Sequence, residues 1–279
     1  MQGYRSIMVH VPAQGEARLP VALAADLARR FGAWLIGIAA ADVALTMSVA
    51  SYGSGSAQIV TLQMAELESR LREAEAWFWG AVGAIGEHVE WRAFTEFPAT
   101  AVAREARAAD LLVMSPGARQ GDSDFINAAE PGDVLMQAGR PVLIVPPGVG
   151  HLPAAQVLVA WQDRREARRA VHDALPLLAQ AERVQVLEVC EPGEEDAIAG
   201  RRVADVAAYL RAHGVPAEGE ARVRREASTA RELAAAASWL GADLIVAGGY
   251  GHARMREWAF GGVTRELMMD SSRCCLLSH

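Results

Sequence analysis

The sequence predicts an α/β protein built from two doubly wound parallel units in tandem, and three observations support this fold class. One stretch of sequence recurs in the second half at a constant separation. Short apolar runs alternate with longer amphipathic segments in both halves. A segment rich in proline and glycine lies between the halves. Strands that alternate with helices form βαβ crossovers, and these crossovers produce parallel sheets.

The repeat is visible by direct comparison of the two halves. Residues 109–113 read A-D-L-L-V and residues 242–246 read A-D-L-I-V, a separation of 133 positions (242 minus 109). Arg140 begins R-P-V-L-I-V and Arg273 begins R-C-C-L-L-S at the same separation. A spacing kept in this way indicates a duplicated unit. Because residues 6–11 resemble residues 156–161, 150 positions later, the first half carries 17 extra residues (150 minus 133), which we place in a loop near residues 41–57.

Residues 146–153 read P-P-G-V-G-H-L-P, a composition that stops regular structure and is typical of a linker. We therefore predict one domain over residues 1–147 and a second over residues 154–279.

The individual elements follow from periodicity. In the second half, continuous aliphatic runs suit strands covered on both faces, and they occupy residues 157–160, 184–189 and 244–247. Amphipathic segments predict helices in both halves, at residues 20–30, 58–82, 99–108, 164–179, 197–213, 229–240 and 265–269. Ligands of doubly wound sheets bind beyond the carboxyl ends of the strands.

Composition excludes several functions. Hydrophobic residues make up 52% of the chain and the net charge is −7, so we expect globular domains with no affinity for nucleic acid. All 27 basic residues are arginine, which excludes a P-loop and Schiff-base chemistry in their usual forms. The three cysteines form no disulfide or zinc pattern, and neither a leader nor a membrane span is evident. We therefore expect a cytoplasmic protein.

One loop has the features of an anion site. The strand at residues 244–247 runs into Gly248-Gly249-Tyr250-Gly251, nine residues follow, and Gly261-Gly262-Val263-Thr264 then opens a helix. Glycines after a buried strand let backbone amides approach an anion closely, and the helix adds free amides and its positive dipole end.

This loop resembles that of the universal stress proteins, whose ATP-binding members carry G-x-x-G, nine residues, and then G followed by Ser or Thr. Gly248, Gly251 and Gly261 match this pattern, whereas Gly262 lacks the hydroxyl. The family's aspartate after the first strand corresponds to Gln162 here. Other positions that match the family's nucleotide pocket are Ala160, Val189, Ala247, His252, Val263 and Thr264.

The resemblance covers nearly the whole chain and implies two five-stranded domains of the type shared with adenine nucleotide alpha hydrolases. It implies ATP or AMP as the ligand, with Mg²⁺, a role as a stress-response sensor, and at most very slow ATP hydrolysis. It also implies that the last strands, at residues 142–145 and 276–278, pair inside the chain as a pseudo-dimer, and that whole chains can form a homodimer.

The first half departs from the pattern. At the separation of 133, the positions of the four glycines hold Ser115, Ala118, Ala128 and Ala129. Side chains there crowd a phosphate, and the neighbouring carboxylates of Asp122, Asp124 and Glu130 repel one. We predict that the first half binds no nucleotide in this way.

Other interpretations remain open at this point. The glycine loop also fits a tight turn without a ligand, which would make the chain an interaction protein. An enzyme of the related hydrolase group is disfavoured because the S-G-G-x-D-S type loop is absent after either first strand. Trp77, Phe78 and Trp79 indicate either an interface or a widely buried helix. Cys274 and Cys275 are predicted to be buried thiols on opposite faces of a strand.

Overall fold

The computed structural model describes residues 3–13, 17–42, 56–83, 88–117, 129–191, 196–249, 262–270 and 272–279. In chain order, the first half contains β1 (Ser6–His10), α1 (Arg18–Phe31), β2 (Trp34–Ala41), α2 (Ser56–Val82), β3 (Val89–Thr95), α3 (Pro98–Glu105) with a 3-10 turn (Ala106–Ala108), β4 (Leu111–Met114), α4 (Pro131–Ala138) and β5 (Val142–Ile144). The second half contains β6 (Gln156–Trp161), α5 (Arg165–Leu178), β7 (Arg183–Cys190), α6 (Asp196–Ala212), β8 (Ala217–Val223), α7 (Thr229–Leu240), β9 (Leu244–Gly248), α8 (Gly262–Asp270) and β10 (Cys274–Ser278).

The two predicted five-stranded sheets are joined into one ten-stranded sheet. Its strand order is β3-β2-β1-β4-β5-β10-β9-β6-β7-β8, so each half repeats the same internal order. Every neighbouring pair is parallel except β5 and β10, which are antiparallel with Leu276 opposite Leu143. The pairing of the two last strands inside the chain is therefore confirmed.

Both faces of the sheet are covered by helices, as the continuous apolar strands predict. α1, α2, α5 and α6 share one core, and α3, α4, α7 and α8 share the other. Each core contains side chains from both halves, and alternate residues of one strand enter opposite cores: Leu276 belongs to the first and Leu277 to the second. The two halves therefore share their hydrophobic cores across the β5–β10 pair.

Local sequence explains where the elements stop. Ser228 caps the N-terminus of α7, where its hydroxyl accepts a hydrogen bond from the Arg231 amide at 3.2 Å. Gly241 ends the same helix with φ of 67°, a conformation that glycine adopts without strain. This helix begins and ends where the sequence predicts. β3 and β8 do not stand out in the sequence, because an edge strand alternates charged and apolar residues and lacks a continuous aliphatic run.

The cysteine prediction is confirmed. Cys274 and Cys275 enter opposite cores, and both are buried free thiols. Burial raises the pKa of Cys274 to about 12, so this thiol is unreactive at neutral pH. On α2, Phe78 is fully buried while Trp77 and Trp79 are about half exposed. The predicted loop near residues 41–57 falls mostly outside the described residues.

Candidate functional site

The candidate site lies where β6, β7 and β9 end, on the face that α7 and α8 cover. Ala160 of β6 lies directly opposite Ala247 of β9. Val189 of β7 and Val263 of α8 contact the same core from the edge of this region. Ala160 and Ala247, far apart in the sequence, are thus neighbours at the carboxyl end of the sheet, and all four positions belong to one face. The side chains of the two alanines are single methyl groups, so they project little from the surface of the sheet and leave space above it.

Gly248 at the end of β9 is needed for packing, and Gly249 directly after it lies close to a side chain of the first half. A Cβ atom on Gly248 would lie 2.6 Å from the Ala167 nitrogen, because the first turn of α5 rests on this backbone. A Cβ atom on Gly249 would lie 2.6 Å from Cδ2 of Leu135, which belongs to α4 in the first half. The Gly249 amide donates a hydrogen bond to the Ser278 carbonyl at 2.8 Å. This amide is therefore already used by the protein itself.

The N-terminus of α8, in contrast, has free space around its first residue. Gly262 is exposed, and the nearest heavy atom to a Cβ placed there is Oε1 of Glu266, at 3.9 Å. A serine or threonine side chain therefore fits at this position. Thr264 is buried, with 7% of its surface exposed, so its hydroxyl does not face bulk solvent.

A carboxylate that does not stand out in the sequence stands beside this helix start. Glu266 lies one turn into α8, and its Oε2 accepts a hydrogen bond from the Ser228 hydroxyl at 3.1 Å. That contact ties the start of α7 to α8 and holds a negative charge near Gly262. The helix dipole favours an anion at this end, whereas Glu266 opposes one.

A second carboxylate, that of Glu232, is buried in the first turn of α7. It accepts backbone hydrogen bonds from Arg225 at 2.8 Å and Glu226 at 3.0 Å, and Arg222 approaches it at 3.6 Å. Burial by itself would raise the pKa of Glu232, but these hydrogen bonds and the guanidinium lower it below its usual value. Glu232 therefore stays ionised and fixes the segment that follows β8.

The remaining predicted site residues divide into two groups. Gln162 follows β6 directly and is exposed. Its backbone carbonyl accepts a hydrogen bond from the Arg164 amide at 2.6 Å. Gly251, His252 and Gly261 lie outside the described residues.

The equivalent position in the first half is filled by an imidazole. His10 ends β1 and corresponds to Ala160 at the separation of 150 positions (160 minus 10). It is 5% exposed and its Nε2 has no hydrogen-bond partner. Burial lowers the pKa of His10 to about 4, so the ring is neutral at pH 7. Direct alignment of the two first strands would have pointed to this residue.

Of the first-half positions that replace the glycines, Ser115 is partly buried and Ala129 is buried. Ala118, Ala128, Asp122 and Asp124 lie outside the described residues. Within the described ranges, no group of three or more histidine, cysteine, aspartate or glutamate side chains is placed to hold a metal ion. No helix in that same part of the chain combines the length and the apolar character needed to cross a membrane.

Comparison with known proteins places this fold. No family model matches the sequence, and no curated protein matches it. Among solved structures, a universal stress protein from Archaeoglobus fulgidus DSM 4304 superposes with a TM-score of 0.69 at 15% identity, covering 97% of this chain and 95% of its own. A functionally unknown protein from Pseudomonas aeruginosa PAO1 superposes with a TM-score of 0.57 at 16% identity, covering 99% of this chain and 93% of its own.

At these identities the likeness concerns the fold. The chain has the universal stress protein fold over nearly its whole length, with both halves included.

Proposed function

We propose that this chain acts as a tandem universal stress protein whose second half binds ATP or AMP and whose first half binds no nucleotide. Residues 1–147 and 154–279 form the two domains of this proposal. Binding, and not turnover, is the activity, and the cytoplasm is the compartment in which we place it. The observation that carries the proposal is the pairing of Ala160 with Ala247 at the carboxyl ends of β6 and β9, on the core face against which Val189 and Val263 also pack.

The shape of this region supports a planar base. Two methyl groups from Ala160 and Ala247 lie side by side at the ends of neighbouring strands. Val189 and Val263 add apolar surface at the margins. Nucleobases bind to apolar surfaces of this kind, where a few polar groups fix their orientation.

The phosphates belong at the start of α8. Its first amides and its dipole favour an anion, and an exposed glycine at position 262 lets a phosphate approach the backbone. The chain has no lysine, so amides and arginines are the groups that would contact phosphate. Mg²⁺ bound with the nucleotide would offset the charge of Glu266, which the helix end does not neutralise by itself.

In the first half, the same place is unsuitable for a base. His10 occupies the position of Ala160 with a ring in place of a methyl group, and it is buried. The asymmetry between the halves supports one nucleotide site in each chain.

A second function, that of an interaction protein without nucleotide, is favoured by one specific observation. Packing against the backbone of α5 explains Gly248 without a ligand, and the Gly249 amide is already bonded to the Ser278 carbonyl. The two functions differ in whether the face beside Ala160 takes up a ligand.

Titration calorimetry with ATP and with AMP, in the presence of Mg²⁺, separates the two functions. Ala160→Leu fills the proposed base site and should weaken binding at least about tenfold, a change of ~1.4 kcal/mol. Ala138→Leu is the matched control, because Ala138 is also a partly buried alanine that contacts the same core, but from α4 in the first half.

Gly262→Ser tests the phosphate end. The site has room for the new side chain, and a hydroxyl that donates to a charged phosphate contributes about 1.5 kcal/mol or more, or roughly tenfold in affinity. Absence of binding to the wild-type chain at millimolar ATP would refute the sensor function and favour the interaction protein.

A further inference from the structure

β8 is one of the two open edges of the ten-stranded sheet. Its even-numbered residues point their backbone groups toward β7, since the Pro216 carbonyl accepts from Val184 at 2.9 Å and the Arg224 amide donates to Cys190 at 2.8 Å. The odd-numbered residues therefore point their amides and carbonyls outward.

The outward row is capped at both ends by the chain itself. At one end, Arg211 of α6 donates to the Ala217 carbonyl at 2.8 Å. At the other end, the Arg225 amide donates to the Glu232 carboxylate at 2.8 Å. Among the described residues, no such cap covers the outward groups of Gly219, Ala221 and Val223. The uncapped stretch is therefore centred on Ala221.

The charged residues along this stretch are also arranged symmetrically about Ala221. Glu218 and Glu220 precede Ala221, and Arg222 and Arg224 follow it, with all four side chains on one face of the sheet. When such a strand meets a copy of itself in antiparallel register about Ala221, each glutamate faces an arginine.

We propose that β8 pairs antiparallel with β8 of a second copy of this chain, on a two-fold axis that passes through Ala221. Gly219 then exchanges hydrogen bonds with Val223 of the second copy, and the two Ala221 residues exchange theirs with each other. Glu220 faces Arg222 of the second copy and Glu218 faces its Arg224, which makes four cross-strand ion pairs. The interface is closed and self-complementary, as two-fold symmetry requires.

The surroundings of the edge leave space for a strand. A cleft of about 570 Å³ adjoins the first part of this edge and is lined by Glu218, Gly219 and Glu220 of β8, Arg183 and Gln185 of β7, Ala204, Ala207 and Arg211 of α6, and Trp239 of α7. Its walls therefore come from both faces of the sheet. Trp239 is 75% exposed and becomes covered when a neighbouring strand fills this cleft.

The four charged side chains already have partners inside the chain, and these partners leave the cross-strand pairs possible. Glu220 pairs with Arg222 at 2.7 Å, Arg183 with Glu218 at 3.2 Å, and Arg224 with Glu191 at 2.7 Å. Glu218 is 68% exposed, so a change of its partner costs little, whereas Arg222 and Arg224 are 26% exposed and Arg222 also lies 3.6 Å from the buried Glu232. Because a guanidinium has five N–H donors, each arginine can add a cross-strand glutamate without giving up its partner in the chain.

The opposite edge, β3, lacks these properties. Antiparallel self-pairing of β3 can place Arg92 opposite Glu90 in one register or opposite Glu96 in another, but no single register makes both pairs. Arg92 is also held at 2.7 Å by the buried carboxylate of Glu105, a shorter contact than the 3.6 Å between Arg222 and the buried Glu232. The proposal therefore predicts a closed dimer and not a filament.

Charge reversal tests the register. One variant carries Glu218→Arg with Glu220→Arg, and another carries Arg222→Glu with Arg224→Glu. Each variant repels itself across the axis, so sedimentation velocity should show one chain mass and a dissociation constant raised at least tenfold. An equimolar mixture restores every opposite pair and should sediment at two chain masses. A mixture that stays at one chain mass overturns the register.

Proline substitution tests the edge without changing charge. Ala221→Pro removes an outward amide that bonds nothing in β7, so the sheet keeps its own ladder while the dimer is lost. Ala93→Pro on β3 is the matched control, at an exposed, outward position, and it should leave the dimer intact. Circular dichroism confirms folding of each variant. A wild-type chain that remains at one chain mass at about 100 μM, or a dimer that survives Ala221→Pro, overturns the proposal.

Discussion

Replacing His10 with leucine should remove a large part of the acid sensitivity of this protein. The pKa of this imidazole is lowered by burial from 6.5 to about 4, a difference of about 2.5 pH units. Its Nε2 has no hydrogen-bond partner, so a proton on that nitrogen would have no acceptor in the folded chain. Leucine has a similar size and carries no proton in this pH range.

The sign and size follow from proton linkage. Between pH 6.5 and pH 4 the unfolded chain binds a proton at this site and the folded chain does not, so stability falls as pH falls. At 1.36 kcal/mol for each unit, the full loss is about 3 kcal/mol, of which about 2 kcal/mol falls between pH 7 and pH 5. The carboxylates that lose their charge in acid do so mainly below this window.

Urea unfolding at pH 7 and at pH 5 measures this difference. The wild-type free energy of unfolding should drop by about 2 kcal/mol more than that of His10→Leu over the same interval. His172→Gln is the control, because the His172 side chain is 74% exposed on α5 and its replacement should leave the drop unchanged. Equal pH dependence in the wild type and in His10→Leu would refute the burial argument.

Two further substitutions test the packing and the buried charges. Gly248→Ala should destabilise the protein by about 1–3 kcal/mol, because its Cβ meets backbone atoms of α5 at 2.6 and 2.7 Å. The Cβ of Gly262→Ala meets only a side-chain oxygen, at 3.9 Å, so this variant should leave the melting temperature unchanged or higher. Glu105→Gln should cost roughly 1–3 kcal/mol at pH 7, since the buried carboxylate pairs with three arginines. Burial opposes ionisation of Glu105, but its arginine partners lower its pKa below 4.5. The stabilisation from these ion pairs is therefore present above pH 4.5 and is lost as the pH falls. The difference in free energy of unfolding between the wild type and Glu105→Gln should accordingly shrink in acid.

The candidate site illustrates how far periodicity and spacing can lead. The separation of 133 positions is enough to align the glycine loop of the second half with residues that are not glycine in the first. It does not show that Gly248 rests on the first turn of α5, or that Gly249 contacts Leu135 in the other half. Both contacts join residues far apart in the chain, and local pattern carries no information about them.

The sequence also gives no indication of two contacts made by charged side chains. Glu232 and Glu266 look like ordinary surface residues of helices in the sequence. The Arg225 amide reaches Glu232 because the chain folds back between β8 and α7, and the Ser228 hydroxyl reaches Glu266 because α7 and α8 are neighbours on one face of the sheet. Their effect on an anion near Gly262 depends on that arrangement, since electrostatic interactions fall with distance in space and not along the chain.

The sequence by itself determined the duplicated α/β architecture, the helices and the inner strands. It did so because burial imposes a local period on apolar residues, and a repeat preserves that period. The joining of both halves into one sheet with shared cores, the imidazole in place of Ala160 and the uncapped edge centred on Ala221 were decided by the tertiary structure. Each depends on which distant groups come close enough to exclude water or to share a hydrogen bond, and folding alone decides that.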